Sequence, residues 1–275
     1  MRGVSPRGIA AAALAAGVLA SWFAAAVHAA EPPPERPQTL DLAGYRLTFD
    51  EDFDRLSVSA HGPGTRWIAH TPWNGDFGDA QFVDPQPGFP FSVDNGILHI
   101  EARKGSDGKW RSGLLSSRDR DGPDAHGFAQ QYGYFEMRAK LPAGPGVWPA
   151  FWLVGTDKSH FSSEIDVMEQ YGAFPNTYRA TTHIWHDGKD DSKSQPIDTE
   201  NGVMQSRFNT YGVSIEPDWL VFYFNRRAVW RTPTEPQFRM PFYILLDLGL
   251  GGGWPIDKTI DPSVMEVDYV KVYQH

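Results

Sequence analysis

The chain has 275 residues, with 34 acidic and 25 basic side chains and a formal net charge of −9. That balance argues against nucleic acid or an anionic membrane surface as a partner. Cysteine is absent, which excludes disulfides, thiol catalysis and a cysteine-linked lipid anchor.

At the N-terminus, Arg2 and Arg7 lead into an Ala-rich apolar run from Ile9 to Val27, which ends in the small-residue stretch Ala26-Val27-His28-Ala29-Ala30. This order predicts a secretory signal peptide over residues 1–29, cut after Ala29. The run also approaches the length of a bilayer helix, so an uncleaved anchor is the alternative. Cleavage removes the two arginines and no acid, taking the net charge from −9 to −11. Residues 30–41 hold EPPPERP, an extended proline-rich spacer. A single domain is expected over 42–275, a length that all-β sandwiches commonly reach.

Helical periodicity is scarce in that domain, and short alternating runs bounded by Gly, Pro, Asn and Asp recur. Phe135, Met137, Ala139 and Leu141 form an apolar face, with Tyr134, Glu136, Arg138 and Lys140 on the other. In Thr181–Trp185, Thr182 and Ile184 oppose Thr181, His183 and Trp185. Val221–Trp230 reads as a hairpin turning at Asn225-Arg226-Arg227, without the Gly of the tightest turns. The fold class is all-β, as two stacked antiparallel sheets.

Glu164 to Glu169 reads Glu-Ile-Asp-Val-Met-Glu. On a regular strand Glu164 and Asp166 share a face and Glu169 is out of phase. A β-bulge resets that parity and brings all three acids together. Crowded carboxylates raise the pKa of at least one member, giving one proton donor beside an ionised partner. Cleavage of a glycosidic bond with retention needs that split in a pair about 5 Å apart. The same pattern in isolation also fits an acidic strand facing solvent.

The flanking sequence decides between these readings. GYFEMRAKLPAGPGVWPAFWLVG (Gly133–Gly155), the acid stretch, FNTYGVSIEPDWLVFYFNRRAVW, PFYILLDLGLGGGWP and the closing MEVDYVKVY (Met265–Tyr273) resemble, in the same order, glycoside hydrolase family 16 in its bulged, laminarinase-like form. Ser163 stands where many members have Gly, and Asp247 where relatives commonly have Asn. The resemblance implies a β-jelly roll with an open concave cleft, which suits a long polymer. It implies Glu164 as nucleophile, Glu169 as acid/base and Asp166 as the residue tuning the shared proton. Sugar-binding positions carried over are Asn74 beside Trp73 in the loop TPWNGDFGDAQF, Glu136, Arg138, Trp148, Trp152, His183, Trp185, Asp247 and Trp254. No cofactor is expected for catalysis. A structural Ca2+ is expected near FDEDFD, held by Glu51 and Gly96 through backbone oxygens and by Asp268.

The expected function is a secreted or periplasmic, monomeric endo-β-glycanase acting on a β-1,3- or mixed β-1,3/1,4-glucan or a related exopolysaccharide. Arg138 and Lys140 are expected on the cleft face, where they would tolerate an occasional acidic substituent. A non-catalytic sugar-binding jelly roll would keep the aromatic groove but need no acids, and a transglycosylase would use the same site with a sugar acceptor.

Overall fold

The computed structural model describes residues 39–275; the expected signal peptide and most of the spacer lie outside the described residues. Among the described residues the chain forms two large sheets with one four-residue helix and a single 3-10 turn. None of these helices is long and apolar enough to cross a membrane.

The alternation read from the sequence sorts the strands. In Gly133–Lys140, Phe135, Met137 and Ala139 enter the core between the sheets while Tyr134, Glu136, Arg138 and Lys140 face away from it. This strand lies in the ten-stranded sheet between Asn209–Ile215 and Ser263–Gln274. The eight-stranded sheet is built around Val147–Gly155, flanked by the acid strand Ser162–Glu169 and by Phe242–Leu250. Its inner face supplies Phe151, Leu153, Ile165, Ile244, Leu246 and Leu248 to the common core. A fully buried side chain of this kind contributes about 1.5–3 kcal/mol.

The outer face of the eight-stranded sheet is apolar too. Phe82, Leu114, Ala150, Trp152, Val154, Tyr243 and Leu245 form a second cluster there, and all nine residues of Phe242–Leu250 are buried. A strand covered on both faces reads as a continuous hydrophobic run. That second layer is the floor on which the site is built.

The expected hairpin is present as Trp219–Phe224 and Arg227–Pro233. Its turn is tight without glycine: Asn225 and Arg226 take φ of 49° and 59°, the left-handed pair of a primed turn. Asn tolerates this conformation. Arg226 is held in it by donating through both Nε and a terminal nitrogen to Glu136, at 2.9 and 2.7 Å.

Candidate active site

The bulge forms in the acid strand. Asp166 pairs with Trp152, and the next registered pair is Met168 with Phe151, so Val167 is the extra residue. On the other side Asp166 opposes Thr181 and Glu169 opposes Arg179, again one residue out of step. Val167 and Met168 both enter the core, and Glu169 emerges beside Glu164 and Asp166. The three acids line one cleft of about 300 Å3 with Trp73, Asp76, Phe77, Trp148, Trp152 and Asp247.

Register explains the crowding. Ala150 stands between Glu169 on one neighbouring strand and Asp247 on the other, and its small side chain leaves the floor open. Glu169 Oε1 accepts from Trp148 Nε1 at 3.1 Å and from the Tyr171 hydroxyl at 3.2 Å. The Trp148 and Tyr171 rings stack at 5.8 Å. Gly252, at φ 57°, passes so close to both rings that a Cβ there would fall under 3 Å from each. Asp247 is fully buried and accepts from Trp152 Nε1 and from the Gly249 N–H, both at 2.9 Å.

His183 sits between two carboxylates. Its Nε2 is 3.1 Å from Asp166 Oδ2 and its Nδ1 is 2.9 Å from Asp190. That first contact does not make a hydrogen bond, so Asp166 Oδ2 is buried without a hydrogen-bond partner. Trp185, exposed, stacks on His183 at 5.1 Å.

Burial dominates the electrostatics. It pushes Glu164 and Asp166 well above the ordinary carboxylate range, and Asp166 and Glu169 raise Glu164 further while His183 pulls it down. Glu169 is also raised by burial, against the lowering donors Trp148 and Tyr171. Burial takes Asp247 to about 8 despite its two donors. Three carboxylates that cannot all ionise retain a proton within the cluster near neutrality.

Several expected positions lie elsewhere. Glu136 and Arg138 do not border the cleft: parity put them on a polar face, but that face belongs to the ten-stranded sheet, away from the acids. Glu136 is fully buried and accepts from Tyr134, Tyr269 and Arg226; Arg138 pairs with Asp268 and Lys140 with Glu266. Arg138 and Lys140 are therefore not cleft cations. Asn74, exposed with φ 55°, is not part of the cleft lining, although Trp73, Gly75 and Asp76 around it are. Trp254 also stands outside the lining, in an exposed edge-to-face pair with Phe174 at 4.8 Å.

Tyr171, Asp190, Asp76, Phe77 and Lys158 stand at or beside the site without being among the positions expected from the sequence. Tyr171 follows Glu169 by two residues, so strand parity was available as a signal. Asp190 was legible from Asp187-Gly188, a hairpin dipeptide that sets Trp185 opposite Asp190. Lys158, whose ammonium is 4.2 Å from the Trp73 ring and 2.9 Å from Asp121, carries no local signal.

Glu51 opposes Val270, and Asp268 sits at a bulge just before Tyr269, one step from the pair of Val267 with Leu98. Gly96 approaches the backbone oxygen of Asp52. The Glu51 carboxylate itself is taken by Phe53 N, Trp67 Nε1 and Arg66. Asp268 shares its carboxylate with Arg138.

A β-sandwich with acids and aromatics along the outer face of one sheet defines a class of polysaccharide-groove proteins. Residues 94–271 match Glycosyl hydrolases family 16, and the chain belongs to that family. Endo-1,3-1,4-beta-glycanase ExsH of Rhizobium meliloti (strain 1021) is 34% identical over 258 residues, covering 86% of this chain and 53% of its own. Endo-1,3-1,4-beta-glycanase EglC of the same strain is also 34% identical, over 257 residues, covering 85% and 53%. The chain thus spans about half the length of these relatives. The laminarinase catalytic domain from Thermotoga maritima MSB8 superposes with a TM-score of 0.66 at 25% identity, over 84% of this chain and 98% of that one.

Proposed function

We propose that this chain is an endo-acting β-glycanase that hydrolyses internal β-glycosidic bonds with retention. The observation that carries the reading is the Val167 bulge, which gathers Glu164, Asp166 and Glu169 into one aromatic-lined cleft. Glu164 attacks the anomeric carbon, while Glu169 gives its proton to the leaving oxygen. Water then loses a proton to Glu169 and displaces the sugar from Glu164. Trp148 and Tyr171 both donate to Oε1 of Glu169, so Oε2 is the oxygen left to carry the proton. Asp166 hydrogen-bonds Glu164 and shares the retained proton as the nucleophile changes charge.

The substrate proposed is a largely neutral β-glucan containing β-1,3 linkages, or a related exopolysaccharide. The names of the rhizobial relatives and of the laminarinase support it. So does the acidic charge, which repels a densely anionic polymer at long range. With Arg138 and Lys140 off the cleft, an acidic substituent has less to meet than their sequence positions implied. Secretion as a monomer after cleavage at Ala29, and one stabilising Ca2+ through Glu51, Gly96 and Asp268, complete the proposal. N-terminal sequencing of exported protein tests the cut, light scattering the monomer, and an unchanged melt in chelator would count against the ion.

The deciding experiment is a product time course on laminarin, mixed-linkage glucan, agarose, carrageenan and an acidic exopolysaccharide, with the anomer read by NMR at early times. Short β-configured oligosaccharides from the glucans are expected. Glucose alone at early times, or activity confined to agarose or carrageenan, would overturn the substrate; an α-anomer would overturn the mechanism.

A further inference from the structure

A second cluster of chemistry-bearing side chains lies outside the acid trio. His61, on the turn between Val58–Ser59 and Trp67–Ile68, stacks its ring on His70 at 4.9 Å. His70 Nε2 lies 2.8 Å from Asp84 Oδ1. One donor atom from each of the three falls within 4.8 Å of the others. All three sit on backbone tied to the sandwich. Ser59 Oγ accepts from Gly62 N and Ser59 O from Ala69 N, both at 2.9 Å, and Val83 N donates to Ser112 O at 3.1 Å.

Their place in the chain gives the cluster a consequence for the cleft. His70 immediately precedes, and Asp84 immediately follows, the segment 71–83, which supplies Trp73, Asp76 and Phe77 to the cleft wall. Within it Thr71 makes a small closed turn, donating to Gly75 O and accepting from Gly75 N at 3.0 and 2.8 Å. Two imidazoles with one carboxylate suit a borderline divalent transition cation, whereas Ca2+ and Mg2+ prefer all-oxygen shells.

We propose that His61, His70 and Asp84 form a binding site for a divalent transition cation of the Zn2+ class, which clips together the two ends of the cleft-wall segment. The His70 to Asp84 contact joins the two ends of that segment directly, so an ion there restrains the wall that carries Trp73.

The test is calorimetric titration of the untagged, chelator-stripped protein with ZnCl2 in excess Ca2+, with amide exchange followed across residues 71–83. Saturable binding of one Zn2+ per chain is expected, with slower exchange at Asn74 and Gly75. His61→Ala and His70→Ala should each weaken Zn2+ by more than about tenfold, since loss of even an outer partner of a metal site costs that much. Asp84→Asn, at an exposed position, gives the same loss without a risk to folding. No saturable heat, or heat unchanged in all three variants, overturns the site. Binding that survives His70→Ala but disappears in Glu164→Gln would place the ion on the acid trio and overturn it too. Zn2+ binding without slower exchange would overturn the clip.

Discussion

Two sets of buried carboxylates occupy opposite outer faces of this sandwich, and they are arranged in opposite ways. Glu136, on the ten-stranded sheet, receives Tyr134 and Arg226 on Oε2 at 2.8 and 2.9 Å, and Arg226 and Tyr269 on Oε1 at 2.7 and 2.9 Å. Four donors, two of them from a guanidinium, satisfy its charge. The trio on the eight-stranded sheet has Asp166 buried and Glu164 and Glu169 half-buried, three acids side by side, and one oxygen of Asp166 with no hydrogen-bond donor. Burial alone does not mark a functional acid. What separates the two is the ratio of donors to negative charge, and the under-satisfied set is the one that faces a cleft.

The comparison is tested most severely by matched substitutions. Glu164→Gln and Glu169→Gln should each lower hydrolysis by at least about 10³-fold, the scale of a lost acid/base or nucleophile, with the melting temperature unchanged or raised. An activated substrate whose leaving group needs no proton should restore glycosylation in Glu169→Gln, with azide rescue, and not in Glu164→Gln. Glu136→Gln should do the reverse, destabilising by about 3 kcal/mol because Arg226 loses its counter-charge, while the folded fraction keeps its activity. Activity loss in Glu136→Gln at full stability would erase the distinction.

Ala150→Leu probes the open floor between Glu169 and Asp247. Extra methylenes there should cost about 1–3 kcal/mol by overpacking and raise KM for the polysaccharide, both visible in melts and steady-state kinetics. Asp247→Asn asks how far burial without charge compensation reaches. The folded pKa of Asp247 is raised to about 8, above its unfolded value near 4, so the native state holds the extra proton between those pH values. Its contribution is therefore lost as pH rises through that window. The stability difference should move in favour of Asp247→Asn from pH 5 to pH 9, and a difference flat with pH would refute the assignment.

The smallest effect is expected from Tyr171→Phe. It removes one donor to Glu169, worth about 1 kcal/mol, or roughly fivefold in kcat/KM. Since that hydrogen bond lowers Glu169, its loss should raise the acid/base pKa and shift the alkaline limb of the pH profile upward.

The sequence by itself determined the all-β class, the inward face of Gly133–Lys140, the need for a bulge in Glu164–Glu169, and the family. These follow from side-chain periodicity and local motif, which are properties of neighbours along the chain. Parity says which residues share a face but not which sheet the face belongs to, so it offers no check on the family resemblance that carries Glu136 and Arg138 into the cleft. Only the tertiary structure decided that Gly133–Lys140 pairs with Ser263–Gln274 and Asn209–Ile215, that Arg226 reaches Glu136 across 90 residues, and that Tyr171 and Trp148 share one oxygen of Glu169. The physical reason is that a buried charge is defined by the donors around it, and those donors arrive from strands far apart in sequence.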